Sequence, residues 1–509
     1  MPAEIELKLA LPAAAVPRLV RHPLLRQAEA LPSHTLFNHY FDTPDLALAA
    51  QRVAVRTRRQ GRQWLQTVKC GGSVAAGLSH RPEWEQPYRR GRFDFSAIDA
   101  PALRTLLESP AIAEALAPVF STNFHRRTWR VCPGAEVEIL VMLDRGEVIA
   151  GTRRQAICEL ELELVRGEAS ALFNLAQHLA TRLPLRLDNV SKAARGYRLL
   201  RGEPPRPTHA SRVALVPSLT PVEAFLRVGH AGLAHVQANE EGLMGAADPE
   251  FVHQARVALR RLRASVRFFA PALPPGTAAH WLRRLGELAR ALEEARELDV
   301  LAGLLNVPEP SVEPADQQAL ASQVDALRHA ARQDVARGVA EGVWGPALLD
   351  FSAFLHRLPT GAPAQGDLAA FVRERLRQAW NRVERHSAGA RGRNAAASHR
   401  LRIAVKQLRY SLESCAALLP ARPLATSLEQ LSAMQEALGR RQDLTSLCPR
   451  LMNVAGADPG LRLAATRLLG TYARRTQGDG LALGEAPQAL ARTRNTLNIK
   501  VAIPRALAI

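Results

Sequence analysis

Glu4-Ile5-Glu6-Leu7-Lys8 is the stretch on which the fold reading turns. As a strand it sets Glu4, Glu6 and Lys8 on one face and Ile5 and Leu7 on the other. Three charges on one face of an apolar-backed strand are costly to bury without partners. Alone they describe a solvated edge; repeated on neighbouring strands they describe a wet polar cavity suited to metal ions and an anion.

Later segments repeat the pattern. Arg52, Ala54, Arg56 and Arg58 are in phase on one strand, and Leu65, Thr67 and Lys69 on the next. Arg81, Glu83 and Glu85 share a face, as do Glu138 and Asp144. Cys158 to Val165 alternates Glu159, Glu161 and Glu163 with Leu160, Leu162 and Leu164. Further strands are expected over Thr35 to Phe41 and Asn123 to Val131, with Asp144-Arg145-Gly146-Glu147 read as a hairpin turn. Helices are expected over Pro12 to Gln27, Pro101 to Leu116 and Ala169 to Arg182. About eight strands thus carry an apolar outer face and a charged inner face of both signs. Carboxylates suit hard divalent cations and Arg suits phosphate oxygens. No Gly-rich phosphate loop occurs, so side chains must hold any phosphate.

The ordered set Glu4-Ile5-Glu6-Leu7-Lys8, Tyr40-Phe41-Asp42-Thr43, Val55-Arg56-Thr57-Arg58, Lys69, Glu83-Trp84-Glu85, Leu143-Asp144, Glu159 to Glu163 and Ser191-Lys192 resembles the CYTH domain of the triphosphate tunnel metalloenzymes. The resemblance covers Pro2 to about Gly202. It implies an eight-stranded antiparallel tunnel that cleaves triphosphate compounds with Mg2+ or Mn2+. It implies metal ligation by Glu4, Glu6, Glu161 and Glu163, with Asp144 assisting; which two of Glu159, Glu161 and Glu163 ligate stays open. Phosphate would be gripped by Lys8, Arg56, Arg58, Lys69, Lys192, Arg195 and one of Arg126 and Arg127, which point to opposite faces; Arg127 is favoured. Glu4, Glu6, Lys8 and Lys192 are the expected catalytic group, and Cys70 is read as structural.

Glu203-Pro204-Pro205-Arg206-Pro207 opens a linker running to Pro217, after which the period becomes helical. His253, Arg256, Arg260 and Arg263 form a cationic row beside the apolar stripe Leu259, Leu262, Val266 and Phe269. His399, Arg402, Lys406 and Arg409 repeat the row, and Leu401, Val405, Leu408 and Leu412 the stripe. Arg296 and Asp299 downstream of the first row correspond to Arg440 and Asp443 downstream of the second, which marks an internal duplication. Such paired rows suit a linear polyanion. From about Val222 to Ala473 the chain resembles a CHAD domain, which implies two pseudo-symmetric four-helix bundles and inorganic polyphosphate binding by the two rows.

The expected organisation is α+β: a tunnel domain over residues 1–202, a linker over 203–217, a helical domain over 218–480 with copies at about 218–345 and 366–478, and a weakly structured tail over 481–509. A formal net charge of +19 over 509 residues calls for an anionic partner, while 5% aromatic content argues against base stacking on single strands. No specific nucleic acid is therefore expected. Five scattered cysteines without a C-x-x-C pair suggest neither zinc nor a disulfide framework. The chain lacks a signal-like start and an 18-residue uncharged apolar run, so a reduced cytoplasmic setting without membrane contact is expected, with polyphosphate granules as one location. The expected function is metal-dependent hydrolysis of inorganic triphosphate to diphosphate and phosphate, with a helical polyphosphate-binding module. The alternatives are a thiamine or nucleoside triphosphatase or an adenylate cyclase, and a non-catalytic polyphosphate-binding protein.

Overall fold

The computed structural model describes residues 4–75, 77–89, 91–245, 247–359, 367–389 and 395–477; the tail expected over 481–509 lies outside them. The chain forms two compact units, one made of Met1–Arg206 with Gly338–Arg357 and the other of Pro207–Arg337 with Leu358–Ile509.

The first unit is built on eleven strands: β1 Glu4–Ala10, β2 Glu29–Asp42, β3 Val53–Gln60, β4 Gln63–Cys70, β5 Ser73–Ala75, β6 Leu78–Arg81, β7 Glu83–Pro87, β8 Ala117–Gly134, β9 Val137–Ala150, β10 Arg153–Arg166 and β11 Arg186–Leu187. All pair antiparallel in the order β5-β6-β1-β10-β9-β8-β2-β3-β4-β7, with β11 added to β1. β6 pairs with β1 and β7 with β4, and only Pro82 separates β6 from β7. One interrupted strand therefore joins the two ends of the curled sheet. Counted that way the ring has the expected eight members, and β5 and β11 are short additions.

Each strand obeys the alternation that its sequence dictates. Leu7, Leu9, Val141, Leu143, Leu160 and Leu162 point outward and are buried under the helix Ser170–Ala180. Leu349 and Ala353 of the helix Gly345–Arg357 complete that core, and its Asp350 accepts from Gln177 at 2.6 Å. Trp84, Val55 and Val68 pack on Leu103 and Leu107 in a second core. The charged alternates are left facing inward.

Three local expectations fail for physical reasons. Asp144 to Glu147 lie in the middle of β9, not in a turn; Gly146 stands where β8 crosses closely, and a Cβ there would sit 2.0 Å from the Asn123 carbonyl oxygen. The turn between β9 and β10 uses Gly151, at φ +57°. The helix expected over Pro12 to Gln27 is broken into Ala13–Ala15, Val16–Val20 and Pro23–Gln27, and the one over Pro101 to Leu116 stops at Glu108 because Ser109, preceding Pro110, is extended at ψ 138°.

The second unit holds two sets of helices in matching order. Pro221–Gly245, Glu250–Phe269, the pair Thr277–Ala291 and Glu293–Leu305, and Pro314–Ala340 form the first. Leu368–Gly389, Ala395–Ser414, Ala421–Ala455 and Pro459–Gln477 form the second. Each apolar stripe drives one helix onto its neighbours, with Leu259, Leu262, Val266 and Phe269 buried in one set and Leu401, Val405, Leu408 and Leu412 in the other. The linker is pinned rather than loose: Thr208 is held by Asn239 at 3.0 Å and by His235 at 2.9 Å. No helix among the described residues is long and apolar enough to cross a membrane.

Candidate functional site

The inward faces of the first unit enclose a cavity of about 290 Å³. Its lining carries seven carboxylates (Glu4, Glu6, Glu83, Glu85, Glu161, Glu163, Asp188) and seven cations (Lys8, Arg56, Arg58, Lys69, Arg81, Arg126, Lys192). With every carboxylate ionised the lining has no formal excess of either sign, and in that state an incoming polyanion is balanced only if counter-cations enter with it.

Register places the carboxylates. Glu6 faces Glu163 across β1 and β10, and Lys8 faces Glu161. Lys69 bridges Glu4 and Glu83, each at 2.7 Å. Arg56 pairs with Glu83 at 3.5 Å and donates to the Tyr40 hydroxyl at 3.5 Å. Arg58 donates to Asn38 at 3.0 Å and lies 3.6 Å from Glu85. Lys8 donates to the Val190 carbonyl at 2.7 Å and pairs with Glu159 at 3.0 Å. Deeper in the wall, Asp144, Glu159 and Glu161 converge closely enough to share a cation. Lys192 fills that position, 2.6 Å from Asp144, 2.9 Å from Glu161 and hydrogen-bonded to Glu159. Arg126 grips Asp144 with two bonds of 2.7 and 2.6 Å and reaches Glu161 at 2.5 Å.

Protonation follows from these contacts. Burial raises Glu4 to about 8, against the opposing pull of Lys69. Burial, reinforced by Glu161, raises Glu6; burial also raises Glu163, against Arg126, with Glu6 adding to the rise. For Glu161 burial is outweighed by Lys192 and Arg126, which hold it well below the usual carboxylate range. Lys192 is desolvated, yet Asp144, Glu159 and Glu161 keep it charged beyond the ordinary lysine range. Burial pushes Arg58 down to about 10, with Arg56 and Arg126 adding to the fall. Among the described residues Glu6 and Glu163 have neither a hydrogen bond nor an ion-pair partner. The desolvated Glu6–Glu163 pair is suited to take a cation, and Arg58, crowded by Arg56 and Arg126 with Glu85 opposing them at 3.6 Å, is suited to take a further anion.

Glu4, Glu6, Lys8, Arg56, Arg58, Lys69, Glu161, Glu163 and Lys192 all line the cavity. Arg126, not Arg127, is the arginine on the inner face: β8 turns Arg127 outward, where it is exposed and lies over Trp129 at 5.2 Å. Arg195 stands behind the lining, bonded to Glu159 at 2.9 Å and to Asp188, and so holds the wall. Asp144 is likewise buried behind the lining, saturated by Arg126 and Lys192. Tyr40, Thr67, Ser79, Arg81 and Asp188 line the cavity without having been picked out; strand phase is the signal that Tyr40, Thr67 and Arg81 carried. Asp42 of the Tyr40-to-Thr43 motif is a capping hub, accepting from the amides of Thr43, Leu48 and Ala49 and from the Tyr197 hydroxyl.

The second unit has a groove of about 630 Å³ lined by His253, Arg256, Arg260, Arg263, His399, Arg402 and Lys406. With Arg267 and Arg296 the lining holds seven permanent cations against Glu293 and Glu297. Arg260, Arg263 and Arg267 have no carboxylate partner among the described residues. Arg409 is not in the lining: Glu413 holds it at 2.9 Å, and Gln435 at 3.0 Å. His253 is pushed down to about 4 by burial first and then by Arg296, so it stays neutral well below the pH at which an ordinary histidine charges. Asp299 pairs with Arg332 at 2.6 Å and anchors a neighbouring helix; the side chains of Arg440 and Asp443 lie outside the described residues.

Residues 2–197 match the family model described as the CYTH domain, and residues 227–451 match that of the CHAD domain. An inorganic triphosphatase of Haemophilus influenzae is 35% identical over 199 residues, 38% of this chain and 54% of the relative. The chain therefore spans about half the length of that relative. Among solved structures, the CHAD domain of the plant Ricinus communis is 27% identical, with a TM-score of 0.49, covering 56% of this chain and 96% of that one. A Hippeastrum adenylyl cyclase candidate, described as having a dominant triphosphatase activity, is 19% identical with a TM-score of 0.30, covering 38% of this chain and 95% of its own.

Proposed function

We propose that this chain, which joins a CYTH domain over residues 2–197 to a CHAD domain over residues 227–451, is a phosphoanhydride hydrolase that cleaves inorganic triphosphate to diphosphate and phosphate in the tunnel cavity. The carrying observation is the unpaired Glu6–Glu163 pair inside a lining with equal numbers of carboxylates and cations.

Glu6 and Glu163, with Glu4 and Glu161 beside them, would hold a divalent cation such as Mg2+ or Mn2+; all-oxygen ligation suits these ions. Bound there, it would neutralise phosphate oxygens as charge develops on the leaving group. Arg56, Arg58, Lys69 and Arg126 present guanidinium and ammonium donors that would align the substrate. Lys192 and Lys8 act as fixed positive charges rather than proton donors: Lys192 is tied to three carboxylates and Lys8 to Glu159 and a carbonyl. Phosphoryl transfer needs chiefly such positioning and charge stabilisation.

The lining favours a substrate without a base. Its aromatics are Tyr40 and Phe124; Phe124 lies under Lys192 at 4.8 Å and Arg126 at 5.6 Å, and Tyr40 is stacked on Phe120. The cationic groove of the second unit would take inorganic polyphosphate, and with it a cytoplasmic, granule-associated role. Phosphate release from triphosphate, ATP and thiamine triphosphate, each with Mg2+ or Mn2+, tests the reading. Triphosphate should be the preferred substrate. Absence of release from triphosphate with both metals would leave a non-catalytic phosphate-holding protein.

A further inference from the structure

The two cation-bearing helices, Glu250–Phe269 and Ala395–Ser414, are related by a constant offset. His253 and His399 are 146 positions apart, and so are Arg256 and Arg402, Arg260 and Lys406, and Arg263 and Arg409. Carried one turn further, the offset relates Arg267 to Glu413, and the sign reverses. The groove therefore cannot be symmetric at its two ends.

The Arg267 side is open and cationic. There the groove continues through Ala264, Arg267 and Gln407 into a hollow that Arg375 and Arg382 also line. Arg382 donates to Gln407 at 3.0 Å; Arg375 donates to the carbonyls of Arg267 and Phe268 at 2.9 and 2.7 Å, which adds its charge to the C-terminal end of the helix Glu250–Phe269. Burial lowers the Arg267 pKa, and Arg263 and Arg382 lower it further, as expected where cations gather without a carboxylate.

The Glu413 side is neutralised and covered. Glu413 takes both Arg409 and Arg261. In the matching hollow Val228, Ala231, Gly232 and His235 stand where Arg375, Gln378, Ala379 and Arg382 line the open one, and His235, which burial holds toward its neutral form, is taken up by the Thr208 carbonyl at 2.9 Å. Ala210, Ser211 and Val213 of the linker lie in the matching hollow beside Arg261 and Ser414.

We propose that the helical unit holds a linear polyanion in a one-ended track, which runs out past Arg267 over Arg375 and Arg382 and is shut at its pseudo-symmetric counterpart by Glu413 and the linker. The proposal rests on the groove being a polyphosphate site. It makes two sequence-equivalent arginines unequal: Arg263 touches the ligand and Arg409 does not.

The test is binding of short and long linear polyphosphate fractions to the full chain at fixed salt, with thermal melts as a folding control. Arg256→Ala with Arg260→Ala should weaken both fractions; if it weakens neither, the polyphosphate reading of the groove falls. Granted that loss, Arg263→Ala should cost about tenfold, the weight of one charge-assisted contact, while Arg409→Ala stays within about twofold. Arg382→Ala should weaken the long fraction several-fold and leave the short one within about twofold. Equal losses for Arg263→Ala and Arg409→Ala, or indifference of the long fraction to Arg382→Ala, would overturn the one-ended track and leave a symmetric groove.

Discussion

Replacing Lys192 by Met keeps most of the side-chain volume and removes the charge that three buried carboxylates share. Asp144 and Glu159 are fully buried, and Lys192 approaches Asp144 at 2.6 Å and Glu161 at 2.9 Å. Removing one partner of a buried ion pair costs about 3–5 kcal/mol. Arg126, Lys8 and Arg195 stay in place around the same carboxylates, which puts the expected loss at the lower end, about 3 kcal/mol. For a unit of this size each kcal/mol is worth about 2–4 °C, so calorimetry of the full chain should show the tunnel transition falling by about 6–12 °C. The sign of the pH dependence is fixed. Glu161 is held low by Lys192 and Arg126, so its stabilising contribution is present above the ordinary carboxylate range and is lost as pH falls through its depressed value. In the variant the carboxyls bind protons more readily, and the deficit should shrink between pH 7 and pH 5. A deficit below about 2 °C, or one independent of pH, would show that Lys192 is not the counter-ion of this cluster.

Leu349→Ala should destabilise the tunnel unit by about 2–5 kcal/mol, because Leu349 is 1% exposed in its core; a tunnel transition unmoved in calorimetry would show that the helix Gly345–Arg357 is not part of that unit. His22 is buried, neither of its ring nitrogens has a hydrogen-bond partner among the described residues, and burial, then His178 and Arg182, lower its pKa, so stability should fall as pH drops below the unfolded value of about 6.5. His22→Phe should remove that component of the slope, and an unchanged slope contradicts the assignment. With Glu4 near 8 and Glu6 and Glu163 raised, Mn2+ uptake at pH 7 should release protons, read by titration calorimetry in buffers of different ionisation enthalpy; heats independent of the buffer would contradict the site.

Much of the tunnel was legible because its inward residues are charged, so the two-residue period of each strand announces itself. The same rule could not separate Arg126 from Arg127, since a register shift of one exchanges the faces and both carry the same charge. Gly146 looked like a turn in Asp144 to Glu147, but glycine also marks a close approach of two backbones, and only the neighbouring strand reveals which. The ring closure at Pro82 was invisible because a strand that changes partners is still one extended segment. The cationic rows were legible from helical spacing, but the fate of Arg409 was not: Glu413 lies one turn beyond it, and the spacing of cations alone takes no account of the acid that captures one of them. Nor did the helix Gly345–Arg357 announce that it belongs with the first unit, because an apolar stripe records burial and not the surface that buries it.

On the proposed reading, the unpaired Glu6–Glu163 pair makes the tunnel a metal-dependent triphosphate site. The most direct measurement is the rate of phosphate release from inorganic triphosphate, as a function of Mg2+ or Mn2+, for the unaltered chain, Glu6→Gln and Glu163→Gln. Metal-dependent turnover is expected in the unaltered chain, with a loss of about a hundredfold or more in each variant and the fold retained in thermal melts. Near-unaltered turnover of both variants at saturating metal would contradict it.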